Sequence, residues 1–145
     1  MGHLNFKTIL VPVDFSKYSQ RAYMLALDMG RCSGGKVVLL HVMDTDYIAN
    51  VAHISTKDDY KDRWQKRTEE KMKQLYSGDQ DEDAKVEVIF REGKPYEKIL
   101  EAADELEPDL IILGSRGKVG LERALFGSVA GKVARLCETS VLIVK

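Results

Sequence analysis

Leu110-Ile-Ile-Leu-Gly-Ser-Arg-Gly117, followed ten residues later by Gly127-Ser128, is the stretch from which this fold can be read. Its four opening apolar residues read as a short strand buried on both faces. The glycines directly behind them let backbone approach a ligand closely, since they have no Cβ and tolerate φ > 0. A helical pattern begins near Ser128, and a helix start aims unpaired N–H groups and a positive dipole end at whatever lies before it. Strand, glycine turn and helix N-terminus together make an anion site, best suited to phosphate.

Outward from this stretch, apolar β-branched runs alternate with helical patterns. Thr8–Val13, Lys36–Met43, Lys85–Arg91, Leu110–Leu113 and Val141–Val144 read as strands. All but the third are nearly continuous in apolar residues, while the third alternates and suits an edge with one wet face. A first helix starts near Ser16 or Ser19 and is expected to bury Ala22, Leu25, Ala26 and Met29 before Gly34-Gly35 stops it. A second, about Lys57 to Tyr76, carries the stripe Tyr60, Trp64, Thr68, Met72 and Leu75. Trp64 and Tyr60 could form a base-stacking platform, but packing on a sheet is the reading preferred. Pro95 opens a third helix with Ile99, Leu100, Ala103 and Leu106 inward, and a fourth from Ser128 buries Val129, Val133 and Leu136. Residues 44–56 form the longest loop without a pattern, and Asp79–Asp83 reads as a solvated acidic connection.

The expectation is one α/β domain over residues 1–145, an open five-stranded parallel sheet with four helices on two faces. In such sheets ligands bind beyond the carboxyl ends of the strands, where strand order reverses. With the order 3-2-1-4-5 that crevice opens between the first and fourth strands. The turn Pro12-Val-Asp-Phe-Ser16 then faces the turn Gly114-Ser-Arg-Gly117.

Composition narrows the function. The 145 residues are 44% hydrophobic and 31% charged with a net charge of −1, which gives no support for wholesale binding to nucleic acid or anionic membranes. Cys32 and Cys137 lack metal-ligand spacing and read as small half-buried side chains in a reducing compartment. No apolar run is long enough to span a bilayer, and the first is broken by Pro12 and Asp14, unlike a secretory signal. A cytoplasmic protein is expected. A Walker A loop needs Gly-x4-Gly-Lys-Ser/Thr, which neither Gly114–Lys118 nor Gly127–Lys132 supplies. A dinucleotide fold would place its glycines after the first strand, where Pro12-Val-Asp14 stands, and a receiver domain needs an aspartate where Arg91-Glu-Gly93 stands.

At this point the chain resembles, over essentially its whole length, a universal stress protein of the nucleotide-binding kind. Ile9-Leu-Val-Pro-Val-Asp-Phe-Ser16 resembles that family's first strand and turn, and Gly93-Lys-Pro95 with Ile99 resembles its third-strand exit. The family's motif Gly-x2-Gly-x9-Gly-Ser/Thr is complete as Gly114, Gly117, Gly127 and Ser128. The resemblance implies a Rossmann-like sheet of the adenine nucleotide α-hydrolase type, with ATP as ligand. Pro12, Val13 and Asp14 would line the adenosine pocket, Asp14 accepting from a ribose hydroxyl or acting through a metal-bound water. The backbone of Val42 would read the adenine edge. Gly114, Ser115, Arg116, Gly117, Lys118, Val119 and Gly120 would wrap ribose and phosphates, and Ser128, Val129 and Ala130 would supply donors to the phosphates behind Gly127. A Mg2+ or Mn2+ ion would be held mainly by phosphate oxygens and water.

Each residue also has a plainer role. Asp14 could cap the first helix, Ser128 is expected as an N-cap in any case, and Arg116 and Lys118 could be solvated charges. His41 lies inside a strand and reads as a satisfied core histidine, while His3 and His53 carry no signal. No second acidic metal ligand or water-positioning residue is evident near Asp14. The favoured function is therefore an ATP-binding regulatory module in stress response, with slow hydrolysis at most. The alternatives are an ATP-using enzyme of this fold, by adenylation or hydrolysis, and a dimerisation module with a vestigial pocket. Val141–Val144, apolar on both faces at a sheet edge, is expected to pair antiparallel with the same strand of a second copy, as the resemblance also implies. A downstream protein partner is not readable.

Overall fold

The computed structural model describes residues 5–51, 57–76, 85–117 and 126–145. Five strands, β1 (Thr8–Pro12), β2 (Lys36–Asp44), β3 (Lys85–Gly93), β4 (Leu110–Gly114) and β5 (Val141–Val144), form one sheet in the order β3-β2-β1-β4-β5. Every neighbouring pair is parallel. The helices are α1 (Lys17–Ser33), α2 (Thr45–Val51), α3 (Lys57–Tyr76), α4 (Pro95–Leu106) and α5 (Ser128–Leu136).

Alternation along the strands divides the core in two. Ile9, Val11, Val37, Leu39 and Ile112 point to one face, where Ala22, Tyr23, Ala26 and Leu27 of α1 and Met72 of α3 cover them. Leu10, Val38, Leu40, Ile111 and Leu113 point to the other, against Ile99, Ala102 and Ala103 of α4 and Ala130 and Val133 of α5. Both faces of β1, β2 and β4 are thus removed from water, which is why those strands carry apolar residues at consecutive positions. β3 lies at one edge and keeps the mixed burial its alternation predicts, and β5 lies at the other edge.

Three expectations need correction. The segment after β2 is not wholly a loop, since its first seven residues are α2. The Asp44 carboxylate accepts from Asp46 N (3.0 Å) and Tyr47 N (3.3 Å), satisfying donors at that helix's start, and Ile48 is buried. On α1 the inward residues include Tyr23 and Leu27, whereas Leu25 is exposed; on α5 Leu136 is exposed, at 59%. The acidic run Asp79–Asp83 lies outside the described residues, as do His3 and His53. Among the described residues no helix is long and apolar enough to cross a membrane.

Candidate functional site

The chain runs outward from β1 to β2 and β3, then crosses back to β4 and β5, so strand order reverses between β1 and β4. The ladder there registers only Ile9↔Leu110 and Leu10↔Ile111, while β1 and β2 are in register over all of β1. The carboxyl ends of β1 and β4 are therefore not zipped together. The turns that follow both strands flank this opening.

The β1 turn is held by a dense set of hydrogen bonds. Val13 N donates to Leu40 O (2.8 Å) and Asp14 N to Ser19 Oγ (3.4 Å). Ser16 N donates to Asp14 Oδ1 (2.9 Å), an Asx turn, and Ser16 Oγ in turn accepts from Ser19 N (3.2 Å) as the N-cap of α1. Asp14 therefore braces the turn that precedes the helix, while the cap itself is Ser16. Phe15 completes the turn at φ 65°, a left-handed conformation that costs a side-chain-bearing residue about 1–2 kcal/mol and persists only where surroundings impose it.

The β4 turn meets it. A Cβ built on Gly117 would stand 2.7 Å from Asp14 Oδ2, so the two turns, about a hundred residues apart in sequence, touch where glycine alone fits without displacement. Gly127 packs behind: its N–H donates to Ser115 O (2.6 Å), and a Cβ there would lie 3.3 Å from Arg116 Cα. Ser115 is buried and its N–H donates to Val144 O (2.7 Å), tying the turn to β5.

The motif's glycines do not share one task. Gly114 faces α1, where an added Cβ would lie 2.7 Å from Tyr18 Cβ and 2.9 Å from Ser19 N. Its missing side chain thus makes room for a helix, not for a ligand. None of Gly114, Gly117 and Gly127 has positive φ, so close approach rather than left-handed geometry is what they supply. Ser128 is also not the N-cap: that position is Gly127, which has no side chain to cap α5. Ser128 is exposed in the first turn with Val129 half-buried and Ala130 buried.

Pro12 is half-buried and Val13 buried at the end of β1, and Val42 lies near the end of β2, in register with Arg91. Arg116 is half-buried in the β4 turn. Lys118, Val119 and Gly120 lie outside the described residues. His41 is buried against the sheet as expected, and its Nδ1 lies 2.6 Å from Val13 O, a contact with the β1 turn that the sequence did not announce. Trp64 stacks on that imidazole (5.0 Å between ring centroids) and so packs on the sheet. Among the described residues no group of three or more His, Cys, Asp or Glu is placed to hold a metal ion.

An open parallel α/β sheet whose strand order reverses between β1 and β4, with a glycine turn after β4, defines the class: a Rossmann-like domain. The chain belongs to the universal stress protein family, whose model matches residues 5–145. Universal stress protein MJ0531 of Methanocaldococcus jannaschii is 29% identical, with 99% of this chain and 85% of that protein covered. The solved structure of MJ0577 from the same organism superimposes with a TM-score of 0.86 at 32% identity, covering 98% of this chain and 97% of that one. A universal stress protein solved in complex with cAMP superimposes with a TM-score of 0.60 at 25% identity, covering 97% of each chain.

Proposed function

We propose that this chain is a stress-response regulatory module that binds ATP in the crevice between β1 and β4 and acts through its nucleotide-bound homodimer. The observation that carries this reading is the contact between the Asp14 carboxylate and Gly117 beside the uncapped start of α5. A nucleotide needs an acceptor for its ribose hydroxyls and donors for its phosphates, and those two kinds of group stand on opposite rims of one opening. The relative bound to cAMP supports a nucleotide ligand.

In this reading Pro12, Val13 and Asp14 line the nucleoside, with Asp14 Oδ2 accepting from a ribose hydroxyl, and the Val42 backbone meets the adenine edge. Ser115, Arg116 and Gly117, continuing through Lys118, Val119 and Gly120, enclose ribose and phosphates. Ser128, Val129 and Ala130 give N–H groups, and Ser128 a hydroxyl, to phosphate oxygens. Mg2+ or Mn2+ accompanies the nucleotide on phosphate oxygens and water and neutralises their charge. Among the described residues Asp14 is the carboxylate brought to this crevice, and in this reading hydrolysis is slow at most. The protein works in the cytoplasm.

Pairing occurs through the edge strand β5, where Leu142 is 38% exposed and the outer backbone groups can meet a second copy antiparallel. The test is acid release and chromatography of nucleotide retained by the purified protein, followed by titration of the stripped protein with ATP and Mg2+. Retained adenine nucleotide, or saturable ATP binding, is expected. A protein that carries none and binds none refutes the reading, and multiple-turnover release of AMP or ADP assigns an enzyme instead.

A further inference from the structure

The carbonyl of Val13, one residue before Asp14, has an unusual partner for a strand end. Val13 N–H still donates to Leu40 O of β2 (2.8 Å), but the carbonyl is met by a side chain from that strand, His41 Nδ1 at 2.6 Å. A carbonyl oxygen only accepts, so Nδ1 must carry the hydrogen. The same imidazole packs against Phe15, the residue after Asp14, with ring centroids 4.9 Å apart. One buried ring therefore holds the backbone on both sides of Asp14, while Trp64 stacks on it (5.0 Å, 25°) and Phe90 meets it edge-on (6.5 Å, 74°). Lys71 of α3 lies over the outer face of this group, its Nζ 5.5 Å from the Phe15 centroid.

Phe15 holds a left-handed conformation that is disfavoured in isolation, and in that conformation its ring packs on His41. With Phe15 and the Val13 carbonyl both anchored, the Asp14 carboxyl is presented to Gly117 rather than turned into solvent. We infer that His41 is a positioning residue for nucleotide binding: it donates to the Val13 carbonyl and seats the Phe15 ring, setting Asp14 without touching ligand. The inference rests on the nucleotide reading above and adds to it a buried residue from a different strand.

The test compares two variants. His41→Leu removes the donor, whereas His41→Asn keeps an N–H at the same bond separation from Cα; both lose the ring stack. Thermal melts are expected to fall by a similar amount in the two. ATP affinity, measured by titration calorimetry with Mg2+, is expected to drop about tenfold or more in His41→Leu and to recover most of that loss in His41→Asn. Equal affinities in the two variants at similar melting temperatures overturn the inference. The wild-type protein supplies a test that needs no variant: nitrogen-15 NMR of ligand-free protein should find Nδ1 of His41 protonated, and an unprotonated Nδ1 overturns the inference. A wild-type chain that binds no nucleotide overturns the nucleotide reading, and this inference with it. Normal wild-type binding with either contrary result above overturns this inference alone.

Discussion

Replacing Gly117 with alanine tests whether the meeting of the two turns is what makes the crevice a binding site. The added methyl would stand 2.7 Å from Asp14 Oδ2, where ordinary contacts begin at 3.4 Å, so the carboxylate must retreat by the difference, 0.7 Å. It cannot do so freely, because its other oxygen accepts from Ser16 N at 2.9 Å. Turning the side chain about Cα–Cβ away from its staggered position costs about 0.5–1.5 kcal/mol, which sets the loss of fold stability. At about 2–4 °C per kcal/mol for a chain of this size, the melting temperature should fall by only a few degrees. Binding suffers more, because a hydrogen bond to a charged acceptor contributes about 1.5–3 kcal/mol and the displaced carboxylate no longer makes it. That corresponds to roughly a 10- to 150-fold weaker Kd for ATP. Calorimetric titration beside thermal melts separates the two effects. A Kd within about threefold of wild type would refute the assignment of Asp14 and Gly117 to the ligand.

Two further perturbations have different signatures. Gly114→Ala drives a methyl into Tyr18 and the backbone of Ser19, which cannot swing aside, so about 1–3 kcal/mol of stability should be lost as overpacking; an unchanged melting temperature would show that α1 is not seated on this glycine. Leu142→Lys on the β5 edge should shift the sedimentation coefficient toward that of a monomer, and an unshifted coefficient rejects that strand as the dimer contact.

The sheet was legible because burial on two faces leaves a plain mark on sequence. Ile9-Leu-Val and Val37-Val-Leu-Leu alternate between two separate cores, and both sets must be apolar. The interrupted pattern of Lys85–Arg91 marked an edge for the opposite reason. Helix phase was harder to read where apolar residues surround the axis. In Tyr23-Met-Leu-Ala-Leu27 several inward faces are equally apolar, and the fold chose Tyr23 and Leu27 over Leu25. α2 escaped notice because it is short and its described side chains include one buried apolar residue, Ile48, although Asp44 ahead of it was a usable capping signal. The glycine motif located the candidate site but could not apportion it. Whether a missing Cβ makes room for a helix, as at Gly114, or for an approaching carboxylate, as at Gly117, depends on what tertiary packing brings opposite. The bond from His41 to Val13 is illegible for the same reason, since strand register alone sets that side chain beside that carbonyl.

Two helices begin at this crevice, and the chain finishes their starts in opposite ways. α1 is closed by its own residues: Ser16 Oγ accepts from Ser19 N, and Ser19 Oγ reaches back to Ser16 O. α5 begins at a glycine packed tightly on the β4 turn, where Arg116 Cα and Ser115 O stand 3.3 and 3.4 Å from where its Cβ would be. Gly127 has no side chain to cap the helix, so the first-turn donors of α5 are not closed by their own N-cap as those of α1 are. Across from them the hydrogen bonds of the β1 turn hold a carboxylate, an acceptor when ionised. Donors on one rim and an acceptor on the other, each fixed before anything binds, suit a molecule with hydroxyls at one end and anionic oxygens at the other. The close packing at Gly127, which leaves α5 without a capping side chain of its own, is thus also what the nucleotide reading proposed above relies on.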